Sequence, residues 1–159
     1  MKNTLVFIHG LESTAQGAKG QYFRQTFPEM LIENYTGNFT QRMRQLNHVL
    51  SGKSNLIIVG SSYGGLMAAQ YAIENEARVK KLLLLAPALN LLDLKPDNKI
   101  LQLPVIIYHG LNDNIVDPFI AKKIAVKLFR QLDHHFTDDD HSLHRTFPLL
   151  DWTNLLQTG

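Results

Sequence analysis

The sequence predicts an α/β fold, in which helices cover both faces of a mostly parallel β-sheet. Four short apolar runs occupy residues 5–8, 56–59, 82–85 and 105–108. None of these runs alternates polar with apolar residues, which is typical of strands that are buried on both faces. The intervals between the runs are long enough for a helix, and alternation of such strands with helices is characteristic of α/β proteins.

Helical periodicity is found between the runs. Phe39, Met43, Leu46 and Leu50 recur at helical spacing and predict an amphipathic helix between Asn38 and Leu50. The segment 64–75 is rich in alanine, as is typical of a helix packed on a sheet.

The carboxyl-terminal third predicts further elements. Asp117 followed by Pro118 indicates a helix start, with Asp117 as the N-cap, and we expect this helix to run to about Gln131. Weaker strands are expected at 30–35 and 133–137. A closing amphipathic helix is indicated by apolar residues that recur near the end of the chain: Leu149, Leu150, Trp152, Leu155 and Leu156.

Length and composition predict one domain over residues 1–159. A chain of 159 residues can enclose a substantial core, and its 45% hydrophobic and 19% charged residues are ordinary for a globular protein. The net charge is only +2 and no long basic block is present, so we expect no nucleic-acid partner.

Targeting and redox features are also absent from the sequence. No apolar run approaches the roughly 20 residues of a membrane span, and Gly10 ends the first run too early for a signal segment. We therefore expect a cytoplasmic protein without a membrane partner. Cysteine is absent, which excludes disulfides, thiolate metal sites and a cysteine nucleophile.

The residues from Gly60 to Gly64, GSSYG, match the motif G-x-S-x-G. Such a match arises by chance in about one chain of this length in twenty, so the position of the motif matters more than the match itself. Here the motif follows an apolar strand and precedes an alanine-rich helix, which is its required context. In that context the serine lies on a strained turn whose neighbours must be small. The motif predicts Ser62 as a catalytic nucleophile.

A nucleophilic serine needs a base, and the base needs an orienting carboxylate. Asp113 follows the fourth apolar run and is expected in a loop beyond the carboxyl end of that strand. Asp117 is the alternative acid, but capping the following helix accounts for it fully. Loop position therefore favours Asp113 as the acid.

Two histidines follow the last predicted strand and are candidates for the base. They are His141 and His144, whereas His134 and His135 lie within the strand, where a structural role is expected. The order of serine, acid and histidine along the chain is the order found in α/β hydrolases.

An oxyanion hole requires two backbone N–H groups directed at the developing negative charge. The N–H of Tyr63, directly after the nucleophile, is one candidate. The N–H of Leu11, after the first strand, is the other. The simpler interpretation of His9-Gly10 is an ordinary turn that ends the strand.

With the candidate nucleophile, acid, base and oxyanion hole identified, the chain resembles the α/β-hydrolase superfamily along nearly its whole length, and most closely the small bacterial YqiA-like esterases. The resemblance is carried by FIHGLEST, IIVGSSYGGLMAAQYA, LLLLAPAL, YHGLNDNIVD and DDDHSLH. It implies a sheet flanked by helices with a Ser–His–Asp triad at its carboxyl edge. It also favours Asp113 over Asp117 as the acid, and His141 over His144 as the base.

Two departures from the superfamily pattern are expected. The first apolar run begins almost at Met1, so the antiparallel first strands of a full-length α/β hydrolase should be missing. The fold is then a minimal three-layer sandwich with a mostly parallel sheet of about six strands. The segment from Pro87 to Pro104 is too short for a separate lid domain, which argues against interfacial lipase activity.

The function predicted from these residues is a serine hydrolase that cleaves an ester or thioester of a small molecule through an acyl-enzyme, without cofactor or metal. A non-catalytic binding or receptor module is the alternative, since fold alone does not determine function. The sequence makes no prediction of the oligomeric state.

A metal site in the tail is a third hypothesis. His134, His135, His141 and His144, with the aspartates at 138–140, are dense enough to suggest it. However, H-E-x-x-H is absent, and three adjacent aspartates in an extended loop cannot all face one ion. A solvated acidic turn accounts for Asp138 and Asp139 more simply.

Overall fold

Six parallel strands form one sheet in the computed structural model, which describes residues 1–158. The strands are β1 (Thr4–Ile8), β2 (Leu31–Ile32), β3 (Leu56–Ser61), β4 (Val79–Leu85), β5 (Leu101–Gly110) and β6 (Phe129–Thr137). Their spatial order is β2-β1-β3-β4-β5-β6. Because parallel neighbours cannot be joined by a hairpin, each connection crosses over a face of the sheet.

Within the described residues, five α-helices accompany the sheet: α1 (Ala18–Thr26), α2 (Phe39–Val49), α3 (Tyr63–Glu74), α4 (Pro118–Leu128) and α5 (Trp152–Leu155). Asn38 and Gln41 form a capping box at the start of α2. At the start of α4, the Asp117 carboxylate accepts hydrogen bonds from the N–H groups of Phe119 and Ile120, as the sequence predicts. Among residues 1–158, none of the helices combines the length and the apolar character needed to cross a membrane.

The helices pack in two layers, one on each face of the sheet. Successive residues of a strand point to opposite faces, so Ile58 belongs to the apolar cluster that includes residues of α2, α3 and α4, whereas Ile57 and Val59 belong to the cluster that includes residues of α1 and the carboxyl-terminal segment. Burial on both faces is the reason that the strands appear as continuous apolar runs. The predicted three-layer sandwich with about six mostly parallel strands is therefore confirmed.

Several element boundaries differ from the prediction. The helix expected to reach about Gln131 ends at Leu128, because Phe129 is buried and already pairs with Leu101 at the start of β6. The strand expected at 133–137 is thus the second half of a longer strand. The strand expected at 30–35 contains only Leu31 and Ile32.

The closing helix is also shorter than expected. A 3₁₀ turn at Phe147–Leu149 precedes α5, and Leu150 between them is extended. Phe147, Trp152 and Leu156 nevertheless reach the same core, on the face that α1 covers. Of the five apolar residues that predicted this helix, Trp152 and Leu156 are buried, whereas Leu149 is 84% exposed. Apolar spacing therefore located only part of the buried set and overstated the length of the helix.

Candidate active site

Ser62 occupies the turn between β3 and α3 in a strained backbone conformation, with φ 56° and ψ −113°. The turn is held by hydrogen bonds from neighbouring elements. The Ser62 N–H donates to the carbonyl of Leu85 at 2.8 Å, and the Ser62 carbonyl accepts from the N–H groups of Gly65 at 2.9 Å and Ala88 at 3.0 Å. Strain of this kind persists only where the surroundings enforce it, and it is common at functional sites.

The glycines around Ser62 are required by close backbone contacts. A Cβ atom at Gly64 would lie 2.1 Å from the carbonyl oxygen of Ile8, and one at Gly60 would lie 2.5 Å from the carbonyl oxygen of Gly64. Both distances are impossible for a real side chain, and the atoms that would have to move are backbone. The small residues predicted around the turn are therefore a packing requirement of the β3–α3 junction.

His141 bridges the two other residues of the predicted triad. Its Nε2 lies 2.9 Å from Ser62 Oγ, and its Nδ1 lies 2.6 Å from Asp113 Oδ2. An ionised carboxylate can only accept hydrogen bonds, so Nδ1 carries the hydrogen and Nε2 is left to accept the Ser62 hydroxyl proton. The structure thus brings together Ser62, Asp113 and His141, which come from three separate loops at the carboxyl edge of the sheet.

The Asp113 carboxylate is fully buried and has hydrogen-bond donors on both oxygens. Its Oδ1 accepts from the N–H groups of Ile115 at 2.8 Å and Val116 at 2.9 Å, and its Oδ2 accepts from His141 and from His109 Nε2 at 3.0 Å. Burial raises the pKa of the Asp113 carboxyl, but the hydrogen bonds from His141, Val116 and Ile115 outweigh it, and the net pKa lies below the usual value. Asp113 is therefore ionised at neutral pH.

The alternative acid and base have other partners. Asp117 is the N-cap of α4. His144 is exposed, and its Nδ1 lies 2.6 Å from Asp140 Oδ2. His134 and His135 lie in β6, as expected.

The acidic tail segment is built differently from the expected solvated turn. Asp138 is exposed, but Asp139 is buried, and its carboxylate accepts hydrogen bonds from the N–H groups of Arg145 at 3.0 Å and Thr146 at 2.7 Å. The prediction of a solvated Asp139 is therefore wrong. These bonds close the loop that carries His141. Within residues 1–158, no three His, Asp or Glu side chains are arranged to hold a metal ion.

The loop after β1 packs directly against Ser62. A Cβ atom at Gly10 would lie 3.3 Å from the Ser62 Cβ. His9 is buried, its Nδ1–H donates to the Gly10 carbonyl at 2.7 Å, and its Nε2 accepts from the Tyr35 N–H at 2.9 Å. Because the C=O and N–H of a trans peptide point in opposite directions, this contact turns the Leu11 N–H away from His9.

The two N–H groups predicted for the oxyanion hole belong to Tyr63, which directly follows Ser62, and to Leu11, which follows the Gly10 that packs against Ser62. In the part of the chain that the structure describes, neither the Leu11 N–H nor the Tyr63 N–H donates to a protein acceptor.

His9 and His109 contact the residues around the site, but the sequence interpretation assigned no role to either of them. Each precedes a glycine at the carboxyl end of a strand, and the tripeptide His-Gly-Leu occurs at both places, at residues 9–11 and 109–111. The repetition of this tripeptide at two strand ends is the signal that could have identified them.

Comparison with known proteins gives a consistent assignment of the fold. A search of curated proteins gives no match. Among solved structures, the Bacillus cereus carboxylesterase matches with a TM-score of 0.73 and 18% identity over 91% of this chain and 82% of that one. Alpha/beta hydrolase domain-containing protein 10 from mouse matches with a TM-score of 0.70 and 18% identity, over 89% and 84% of the two chains. The Paleococcus ferrophilus monoacylglycerol lipase matches with a TM-score of 0.66 and 13% identity, over 87% and 88%.

At these identities, the structural matches establish the fold alone. The closer resemblance to the YqiA-like esterases stays a prediction. The sequence model of the alpha/beta hydrolase fold matches residues 23–103, which include the strand–turn–helix around Ser62. The chain therefore belongs to the α/β hydrolase fold family.

Proposed function

We propose that this protein is a serine hydrolase that cleaves a carboxylic ester or thioester of a small substrate through an acyl-enzyme. The observation that carries the proposal is the position of His141, which lies within hydrogen-bond distance of both Ser62 Oγ and Asp113 Oδ2. A histidine placed in this way can remove the serine proton while the carboxylate stabilises the resulting imidazolium.

The proposed reaction has two balanced steps. Ser62 Oγ attacks the carbonyl carbon while His141 Nε2 takes the hydroxyl proton. The tetrahedral intermediate then expels the alcohol or thiol, which receives that proton from His141, and the acyl group remains on Ser62. In the second step, a water molecule attacks the acyl carbon with His141 as base, and the carboxylic acid leaves as the proton returns to Ser62. The proposed reaction needs neither cofactor nor metal.

We assign the oxyanion hole to the backbone N–H groups of Leu11 and Tyr63. Donors aimed at the developing oxyanion stabilise the transition state, and removing one such donor typically costs about 100- to 1,000-fold in rate. The contact between His9 and the Gly10 carbonyl supports this assignment, because it fixes the orientation of the peptide that carries the Leu11 N–H.

Two of the structurally similar proteins are named as a carboxylesterase and a monoacylglycerol lipase. Both names denote ester hydrolysis, which supports the proposed class of reaction. Because their identities to this chain are only 18% and 13%, they carry no information about the acyl group or the alcohol.

The identity of the nucleophile is tested with a fluorophosphonate probe. We expect one label per chain, on Ser62, because among residues 1–158 only the Ser62 hydroxyl contacts a histidine that can accept its proton. The S62A variant should show background labelling and no hydrolysis of acyl esters or thioesters, while S61A should be labelled normally. Treatment with a chelator should leave the rate unchanged. Absence of labelling in the folded protein would favour the non-catalytic binding module instead.

Substrate size is a second expectation, and it depends on the connection between β4 and β5. In this connection, one 3₁₀ turn at Leu89–Leu91 is formed. Leu89 is buried, Leu92 and Leu94 pack against the core, and Leu91 is 58% exposed. Three of the four leucines thus pack onto the protein, and little apolar wall is left for an acyl chain. We accordingly propose that residues 1–159 form one domain and that the connection between β4 and β5 provides no separate lid.

We expect kcat/KM to be highest for acyl chains of about two to six carbons. Each methylene buried against a protein wall contributes about 0.8 kcal/mol, and this gain stops where the wall ends. The measurement is kcat/KM across a series of p-nitrophenyl esters of increasing chain length, together with the rate above and below the solubility limit of the longer esters. A preference for chains of twelve carbons or more, or a rate increase at an interface, would contradict the absence of a lid.

A further inference from the structure

His109 is a fully buried histidine that contacts the acid of the proposed triad. Its ring is fully buried at the carboxyl end of β5, and Nε2 lies 3.0 Å from Asp113 Oδ2 and 3.2 Å from the carbonyl oxygen of Val116. Both partners can only accept, so Nε2 carries the hydrogen. Burial lowers the pKa of His109, and the ring is therefore neutral at pH 7 with Nδ1 unprotonated.

We propose that His109 is a positioning residue for the proposed triad: its Nε2–H holds Asp113 Oδ2 in the direction of His141. The inference rests on the proposed function for its catalytic consequence. Asp113 itself lies in a loop, whereas His109 lies on β5, which is hydrogen-bonded to β4 on one side and β6 on the other. The strand thereby provides a rigid reference for a carboxylate that a loop alone would place less accurately.

The remaining contacts of the carboxylate explain why this donor matters. The N–H groups of Ile115 and Val116 both bind Oδ1. Oδ2, the oxygen that orients the base, receives only the two histidine nitrogens among the contacts of the described residues. Without His109, the Oδ2 side of the carboxyl group would be restrained by His141 alone.

Packing does not account for a histidine at this position. Within residues 1–158, the buried His109 Nδ1 has no hydrogen-bond partner. Burying an unpartnered polar nitrogen costs free energy, so an apolar ring would be the better filler if only volume mattered. Every polar contact of the ring is made by Nε2, and these contacts go to the segment from Asp113 to Val116. The polar contacts of His109 are therefore made with the loop that carries Asp113.

The test compares two amides that differ by one methylene. In H109Q, the side-chain amide nitrogen reaches about as far as Nε2, whereas in H109N it reaches only as far as Nδ1. We expect H109Q to keep kcat within about 10-fold of the wild type, and H109N to lower kcat about 10- to 100-fold more, with KM unchanged in both. H134F, which removes another, partly buried histidine from the adjacent strand β6, is the matched control and should keep kcat.

Three results would overturn the inference: equal losses of kcat in H109Q and H109N, no loss in H109N, or an effect on KM alone. The first would indicate that the ring acts only by filling space. Thermal unfolding of each variant shows whether it is folded at the assay temperature.

Nitrogen NMR of histidine-labelled wild-type protein provides a test that needs neither a variant nor turnover. We expect His109 in the Nε2–H tautomer at pH 7 to 8, and a downfield Nδ1–H proton from His141 bonded to Asp113. An Nδ1–H tautomer of His109 would refute the inference even if H109N fails to fold. Failure of the proposed function gives a different result, namely no Ser62 labelling and no hydrolysis in a protein whose histidine signals are as expected.

Discussion

Replacing His141 with alanine is expected to lower kcat by about four to six orders of magnitude and to change KM much less than kcat. The Ser62 hydroxyl would then have no base within hydrogen-bond distance, since His141 Nε2 at 2.9 Å is its side-chain partner. The residual rate would come from the proposed oxyanion hole and from substrate binding. Steady-state kinetics on an activated short-chain ester, with S62A as the blank, measures the effect.

His144 provides the control for this prediction. It lies three residues further along the same loop and is also paired with an aspartate, but its partner is Asp140 and its side chain is 75% exposed. H144A should therefore change kcat by less than about threefold, because an exposed pair of this type contributes little free energy. Comparable losses in H141A and H144A would mean that disruption of the loop, and not loss of the base, causes the defect.

Replacing Asp113 with asparagine is expected to lower kcat by about 10⁴-fold. The introduced amide can donate to His141 Nδ1, which favours the tautomer with hydrogen on Nε2, and that tautomer cannot accept the Ser62 proton. It also removes the negative charge that stabilises the imidazolium. Steady-state kinetics of the purified variant, with circular dichroism to show that it is folded, provides the measurement.

Asp117 is the matched control, because it is also an aspartate in the connection between β5 and α4. D117N should keep wild-type kcat and nearly wild-type stability, since asparagine is as good an N-cap as aspartate. D117A should lose about 1 kcal/mol of stability with little change in kcat. If D117N abolishes activity while D113N does not, the assignment of the acid is wrong.

Local patterns in the sequence determine the elements and the turn around the proposed nucleophile. Continuous apolar runs identify β1, β3, β4 and the centre of β5, because both faces of those strands are buried. The turn at Ser62 is predictable because its motif stands between an apolar strand and an alanine-rich helix, although the closest contact at Gly64 is with Ile8 of β1. Asp117 is predictable as a cap because its partners are the N–H groups two and three residues ahead.

Contacts between distant parts of the chain depend on the tertiary structure. His141 meets a serine 79 positions away, and nothing in DDDHSLH alone distinguishes His141 from His144. Only the order of the strands, with β5 between β4 and β6, places the loop after β6 beside the loop after β5. The burial of Asp139 follows from that adjacency, because its backbone carbonyl accepts a hydrogen bond from the N–H of Asn112 in the loop after β5. The contact of His109 with Asp113 is instead local, since the two residues lie four positions apart, in β5 and the loop that follows it. The end of α4 at Leu128 also depends on another strand. The apolar periodicity of the segment would allow the helix to continue, but Phe129 pairs with Leu101 of β5 and begins β6.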